Sequence, residues 1–140
     1  MTEPAILDSG PLVAYLHRQD KYHVWAQAHF ASATPPLLTC EAVISEACFL
    51  LRGVHGGGEA VLDLLATGAV SIAFSLDEEH RAVRQLLSHY ANVPMSLADG
   101  CLVRMAEKFP QIAVMTFDSD FTIYRKHRRL TIPLLMPKET

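Results

Sequence analysis

Short apolar runs alternate with longer helix-like segments along the chain, and this alternation is the strongest constraint on the fold. Each run spans only a few residues and is followed by a polar or turn-forming residue, which is typical of a buried strand. The predicted strands are Ala5–Leu7, Leu37–Leu38, Val70–Phe74, Ile112–Thr116 and Leu130–Leu135. Strands separated by helices need crossover connections, so the pattern predicts an α/β fold with a mainly parallel sheet covered on both faces.

Caps and helix breakers set the ends of the segments between these strands. Pro11 suits the first turn of a helix, and Thr39 and Ser96 are candidate N-caps of two others. Residues 55–58 form a predicted linker, and Gly68 ends the helix after it. We expect helices over residues 11–16, 23–33, 40–52, 59–67, 76–91 and 96–109, and a short helical turn over 121–127.

The composition predicts a single domain over residues 1–140, since half of the chain is hydrophobic and can form a core. No signal peptide is visible, and no apolar run approaches the roughly 20 residues that a membrane span needs. The cysteines Cys40, Cys48 and Cys101 form no CxxC pair. We therefore expect buried thiols in a soluble, cytoplasmic protein.

The formal net charge of −3 argues against a nucleic-acid-binding protein that relies on overall positive charge. This balance changes if five of the 15 acids are gathered in one pocket: Asp8, Glu46, Asp99, Asp118 and Asp120. The other ten acids then stand against 12 Lys and Arg residues, which leaves a mildly basic surface. The class of partner therefore depends on where these acids lie.

Asp8 and Asp118 each follow a predicted strand. Because ligands of open α/β sheets bind outside the carboxyl ends of the strands, both side chains are expected at that edge. A strand-ending aspartate is also a common turn former. The two matched positions together favour a site more than either does alone.

Glu46 and Asp99 each have a structural and a functional interpretation. The helical neighbours of Glu46, Val43, Phe49 and Leu50, are apolar, so burial of its carboxylate predicts a charge partner or a metal. Alternatively, Glu46 lies at the edge of an apolar stripe and reaches water. Asp99 is spaced from Ser96 as in a capping box, yet a first-turn acid can also face the sheet edge. Four converging carboxylates would repel each other unless Mg²⁺ or Mn²⁺ lay between them.

Four segments resemble, in order and spacing, the acidic motifs of PIN-domain nucleases: ILDSG, ISEACFLLR, SLADGCLVRMA and VMTFDSDF. The resemblance covers essentially the whole chain and is strongest to the VapC-type toxins of toxin–antitoxin pairs. It implies a three-layer α/β/α fold and a Mg²⁺- or Mn²⁺-dependent endoribonuclease. It also implies hydrolysis by an activated water without a covalent enzyme intermediate.

The resemblance assigns roles to individual residues. The catalytic and metal-binding acids fall on Asp8, Glu46, Asp99 and Asp118. Ser9, Thr116 and Asp120 match supporting positions around them, where ordinary turn or strand roles are also possible. The third motif has ADG where ADA or DAL-like sequences are commoner in the family, which places Gly100 inside a helix.

The resemblance also implies partners: an RNA substrate, a homodimer built on the early helices, and an antitoxin held in a groove there. The one basic cluster, residues 125–129, is either a solvated face or a contact to the RNA backbone through Arg125, Arg128 and Arg129.

Two other protein classes with an acidic site after the first strand do not fit these residues. A haloacid-dehalogenase-like phosphatase needs a second aspartate where this chain has Gly10, and a receiver-like domain needs a lysine that residues 115–121 lack. Two alternatives stay open. One is a PIN-fold binding module without catalysis, and the other is a PIN ribonuclease of RNA processing without an antitoxin.

Overall fold

Seven short strands and six α-helices make up residues 3–138, the part of the chain that the computed structural model describes. The strands are β1 (Ala5–Leu7), β2 (Leu37–Thr39), β3 (Val70–Ile72), β4 (Ala113–Met115), β5 (Arg125–Lys126), β6 (Leu130–Thr131) and β7 (Leu134–Leu135). The helices are α1 (Ser9–Leu16), α2 (His23–Ser32), α3 (Glu41–Leu50), α4 (Gly57–Thr67), α5 (Leu76–His89) and α6 (Leu97–Lys108). A short 3-10 helix covers Ser119–Thr122.

Five of the strands form one sheet in the order β3-β2-β1-β4-β7, and every neighbouring pair in it is parallel. Helices connect successive strands from β1 to β4, as parallel pairing requires. Helix α1 packs on α2, α3 and α4, and α3 packs on α4. Helix α5 packs on α6, which also contacts β1 and β4. The predicted α/β fold, with a central parallel sheet flanked by helices, is confirmed.

The core is centred on β1, whose three residues Ala5, Ile6 and Leu7 have no exposed surface. A strand with neighbours on both sides and helices on both faces is expected to be apolar throughout. Within residues 3–138, no buried side-chain nitrogen or oxygen lacks a hydrogen-bond partner. No helix in that range is long and apolar enough to cross a membrane.

Helix α1 begins at Ser9, two residues before the predicted start. Asp8 supplies the reason, because its side chain accepts a hydrogen bond from the Ser9 N–H as the N-cap of the helix. Pro11 still lies in the first turn, where its missing N–H does not interrupt the helix. The first acid of the chain is therefore also a helix cap.

The predicted capping role of Thr39 is wrong. Thr39 lies in β2, and its hydroxyl donates a hydrogen bond of 2.8 Å to the Leu7 carbonyl oxygen on β1. Cys40 occupies the N-cap position of α3 without a side-chain hydrogen bond to the helix. A buried hydroxyl needs a partner, and the neighbouring strand provides one here.

The predicted linker before α4 is shorter than expected, because Gly57 and Gly58 belong to the helix. Gly56 precedes it with φ at 70°, a conformation that glycine adopts readily. A Cβ atom on Gly57 would lie 2.8 Å from both the Cβ and the carbonyl oxygen of Leu51. The helix therefore begins in close contact with the end of α3.

The C-terminal region differs most from its prediction. Residues 121–127 do not form one helical turn, because the 3-10 helix ends at Thr122 and β5 pairs with β6 in an antiparallel hairpin. His127 and Arg128 turn the hairpin with φ at 50° and 64°. The predicted strand over residues 130–135 is divided into β6 and β7, with Pro133, which has no N–H to donate, between them.

Candidate active site

Asp8 lies at the carboxyl end of the sheet, where β1 and β4 are neighbours. Leu7 pairs with Met115, and the Asp8 N–H donates to the Met115 carbonyl oxygen at 3.0 Å. Asp8 is 6% exposed. Its Oδ1 accepts from the Ser9 N–H at 2.7 Å, and its Oδ2 accepts from the Thr116 hydroxyl at 2.6 Å. Both carboxylate oxygens are thus held by donors of the chain.

Burial raises the pKa of Asp8 from 3.8 to about 6. The hydrogen bonds from Thr116 and Ser9 favour the ionised form and limit this rise, whereas the negative charges of Asp99 and Glu46 add to it. The expected gathering of acids at this edge of the sheet stays a prediction, which the direction of these charge effects supports.

Glu46 is connected to Asp8 through Ser9. The Ser9 hydroxyl donates to Glu46 Oε1 at 2.5 Å, while the Ser9 N–H binds Asp8. The expectation that apolar neighbours bury Glu46 is wrong. Phe49 is 61% exposed and Leu50 is 50% exposed, because α3 packs through its other face and leaves this one at the surface. Glu46 is itself exposed and reaches water at the edge of the apolar stripe, and its role as a metal ligand stays a prediction.

Asp99 is a helix cap in addition to its place in the acidic motif. Its Oδ2 accepts from the Ser96 N–H at 3.2 Å, and its own N–H donates to Ser96 Oγ at 3.0 Å, so the predicted capping box is confirmed. Burial raises the pKa of Asp99, and the charge of Asp118 raises it further.

Asp118 follows β4 and caps the 3-10 helix. Its Oδ1 accepts from the Asp120 N–H at 2.9 Å, and its own N–H donates to Thr116 Oγ1 at 3.0 Å. The Thr116 side chain therefore binds Asp8 through its hydroxyl hydrogen and the Asp118 backbone through its oxygen. Asp120 is half-buried, and its N–H closes the turn.

A divalent cation fits this site by the chemistry of its side chains. Among residues 3–138, no three His, Cys, Asp or Glu side chains are arranged closely enough to hold a metal as they stand. The candidate ligands Asp8, Glu46, Asp99 and Asp118 all offer carboxylate oxygens, which Mg²⁺ and Mn²⁺ prefer. No ion pair in this part of the chain involves any of the four. Their uncompensated negative charge favours a cation.

Tyr124 belongs to the site and was missed by the sequence argument. Its ring is fully buried, and its hydroxyl donates to Asp99 Oδ2 at 3.2 Å. Burial and then the charge of Asp99 raise the pKa of Tyr124, so the phenol stays protonated as a donor. No spacing in the sequence connects it to Asp99, because the contact forms only when the segment after the 3-10 helix packs on α6.

Gly100 explains the departure in the third motif. A Cβ atom there would lie 3.2 Å from Val83 Cγ1 and 3.4 Å from Leu87 Cδ2, both on α5. The missing side chain lets α5 approach α6 next to Asp99.

The basic cluster divides into structural and exposed residues. Arg125 Nη1 donates to the carbonyl oxygens of Thr122, Ile123 and Tyr124, and buried Lys126 donates to the Pro110 carbonyl oxygen. The side chains at positions 128 and 129 are exposed at the hairpin turn. A contact to the RNA backbone stays a prediction for Arg125, Arg128 and Arg129, and it is better suited to the last two.

Comparison with known proteins identifies the family. The PIN domain family model matches residues 5–126, a range that contains all four acids and runs from β1 to β5. The crystal structure of Mycobacterium tuberculosis VapC20, a sarcin-ricin loop cleaving toxin, has a similar fold. Its TM-score is 0.73 at 23% sequence identity, over 87% of this chain and 94% of that chain. No curated protein matches the sequence. The chain therefore belongs to the PIN domain family.

Proposed function

We propose that this protein is a Mg²⁺- or Mn²⁺-dependent endoribonuclease that hydrolyses RNA phosphodiester bonds. The observation that carries the proposal is the burial of Asp8 together with its raised pKa. The fold buries this carboxylate at the carboxyl edge of the sheet, beside the charges of Asp99 and Glu46, with a pKa raised to about 6. Perturbed acids in such a position are typical of functional sites.

In this proposal Asp8, Glu46, Asp99 and Asp118 hold the metal. When bound, the cation supplies positive charge that activates a water molecule and stabilises the phosphate oxygens during displacement. Three other side chains hold these acids in position through hydrogen bonds. Thr116 orients Asp8, Ser9 joins Asp8 to Glu46, and Tyr124 orients Asp99.

We further propose that the protein is the toxin of a toxin–antitoxin pair, acts in the cytoplasm as a homodimer, and is inhibited by an antitoxin protein. The similarity of fold to VapC20, which is described as a sarcin-ricin loop cleaving toxin, supports RNA as the substrate class. The surface helices offer apolar side chains for such partners, since Leu62 on α4 is 54% exposed and Leu50 on α3 is 50% exposed.

Expression in cells, followed by sequencing of newly formed RNA ends, tests the proposal. Wild type should arrest growth and produce specific cuts, whereas Asp8→Asn and Glu46→Gln should do neither while remaining folded. Asp63→Asn is the matched control, because Asp63 is an exposed acid on α4 and is not one of the four candidate ligands. Cuts that persist in Asp8→Asn would contradict the assignment. No cuts from wild type would favour the binding module without catalysis.

A further inference from the structure

Three half-buried aromatic rings lie against the loop between β4 and Asp118. The Phe117 ring centroid is 4.7 Å from that of Tyr22 and 5.4 Å from that of Trp25. All three residues are partly exposed, although Trp25 also packs against the core and its indole stacks on His29 with the ring centroids 3.8 Å apart. We refer to Tyr22, Trp25 and Phe117 as the aromatic cluster.

The backbone places the aromatic cluster beside the acids. Phe117 lies between Thr116, which binds Asp8, and Asp118. On its other side, the Phe117 ring packs on Gly10, where an added Cβ would lie 3.0 Å from Phe117 Cδ2. The ring thus packs on the first turn of α1, which follows the first acid, and belongs to the segment that carries the fourth acid.

A cation lies next to the aromatic cluster. The connection between α1 and α2 carries exposed Arg18 and Lys21, and Lys21 Nζ lies 4.9 Å from the Tyr22 ring centroid. The acid in this connection, Asp20, is occupied by the Tyr22 N–H at 2.9 Å. Rings and cations together suit single-stranded nucleic acid, which offers bases for stacking and phosphates for ion pairing.

We propose that the aromatic cluster is a subsite for one unstacked base of the RNA, next to the phosphate that is cleaved. The inference rests on the proposed ribonuclease function and adds where the neighbouring base binds. Stacking on an aromatic side chain changes the affinity for single-stranded RNA by roughly 5- to 150-fold per base. Lys21 would contact the RNA backbone on the same side.

Trp25 is the only tryptophan in the chain, so tryptophan fluorescence reports directly on binding at the aromatic cluster. The experiment uses Asp8→Asn protein, which should bind RNA without cutting it, and a fluorescein-labelled random-sequence RNA oligonucleotide. An abasic ribose-phosphate oligomer of the same length carries the same phosphates without bases. Intact RNA should quench Trp25 fluorescence and bind roughly tenfold more tightly than the abasic oligomer.

Tyr22→Leu and Trp25→Leu replace a ring with an apolar side chain and should reduce this intact-to-abasic affinity ratio several-fold. Phe30→Leu is the matched control, because Phe30 is also half-buried and stacks on Tyr15 at 4.0 Å outside the cluster. The intact-to-abasic affinity ratio of Phe30→Leu should equal that of the Asp8→Asn parent protein. Thermal unfolding of each variant checks folding, and a general loss of stability would lower both affinities without changing their ratio.

The outcomes separate the two proposals. RNA that binds without quenching Trp25, and with the same affinity as the abasic oligomer, overturns the base subsite and leaves the ribonuclease proposal intact. An unchanged ratio in both ring variants overturns it as well. If wild type neither binds nor cuts RNA, the proposed function itself fails.

Discussion

Asp8→Asn should stabilise the metal-free protein at neutral pH, although it should abolish function. Asp8 is 6% exposed, and no ion pair between residues 3 and 138 involves it. Folding therefore removes a carboxylate from water without providing a cation. Asparagine has nearly the same shape and no charge, so it avoids this penalty.

The magnitude follows from the pKa of Asp8, which is 3.8 in its unperturbed state and about 6 in the fold. At about 1.4 kcal/mol per pKa unit, ionised Asp8 destabilises the folded state by about 3 kcal/mol. The substitution also has a cost. The Thr116 hydroxyl now donates to Asp8 and accepts from the Asp118 N–H, and an amide NH₂ would not accept its hydrogen. Losing one hydrogen bond costs about 1 kcal/mol, which leaves a net gain of about 2 kcal/mol.

The pH dependence has a defined sign. Because the pKa of Asp8 is higher in the folded state, the folded protein binds the proton more tightly than the unfolded chain does. Stability from this group is full below about pH 3.8 and is lost as the pH rises through about 6. The advantage of Asp8→Asn should therefore be greatest above pH 7 and disappear near pH 4.

Thermal and urea unfolding in EDTA, at pH 4.5 and pH 7.5, measure this difference. A gain of about 2 kcal/mol corresponds to a rise in Tm of roughly 6 °C for a chain of this size. Asp63→Asn, the exposed control, should change Tm little at either pH. A variant that is less stable than wild type at pH 7.5, or equally stabilised at both pH values, would refute the reasoning.

Three further perturbations test other parts of the structure. Thr116→Val removes the donor to Asp8 and should weaken Mn²⁺ binding roughly tenfold in calorimetry, and unchanged affinity would exclude an orienting role. Tyr124→Phe should lower Mn²⁺ affinity less than Thr116→Val does, because Asp99 keeps its bonds to Ser96; an equal or larger loss would contradict that ranking. Gly57→Ala should destabilise the fold by about 1–3 kcal/mol in urea unfolding through its clash with Leu51. Gly58→Ala, where a Cβ meets nothing within 4 Å, should not, and equal losses would contradict the packing argument.

Sequence patterns were sufficient to predict the features that depend on residues a few positions apart in the chain. The apolar run of β1 and the acid after it placed Asp8 at the edge of the sheet, and the spacing of Ser96 and Asp99 predicted their capping box. The helix-breaking Gly68 ended α4 at its predicted position, with φ at 81°. These features depend on propensities that act within a few residues.

Features set by packing between distant segments were not predictable in this way. The exposure of Glu46 depends on which face α3 turns to its neighbours, and the Tyr124 contact to Asp99 depends on how the C-terminal segment packs on α6. The hairpin was missed because His127 and Arg128 adopt positive φ angles that these residue types seldom favour. The sequence offered no turn signal there.

The central claim is that the four acids form a metal centre that cleaves RNA. Purified wild type and Asp99→Asn, incubated with end-labelled RNA across a Mg²⁺ titration, test it most directly, with Asp63→Asn as the matched control. The account predicts cleavage that requires Mg²⁺, stops with EDTA, and falls by at least about a hundredfold in Asp99→Asn only. Cleavage that persists in EDTA, or that is equal in wild type and Asp99→Asn, would contradict the account.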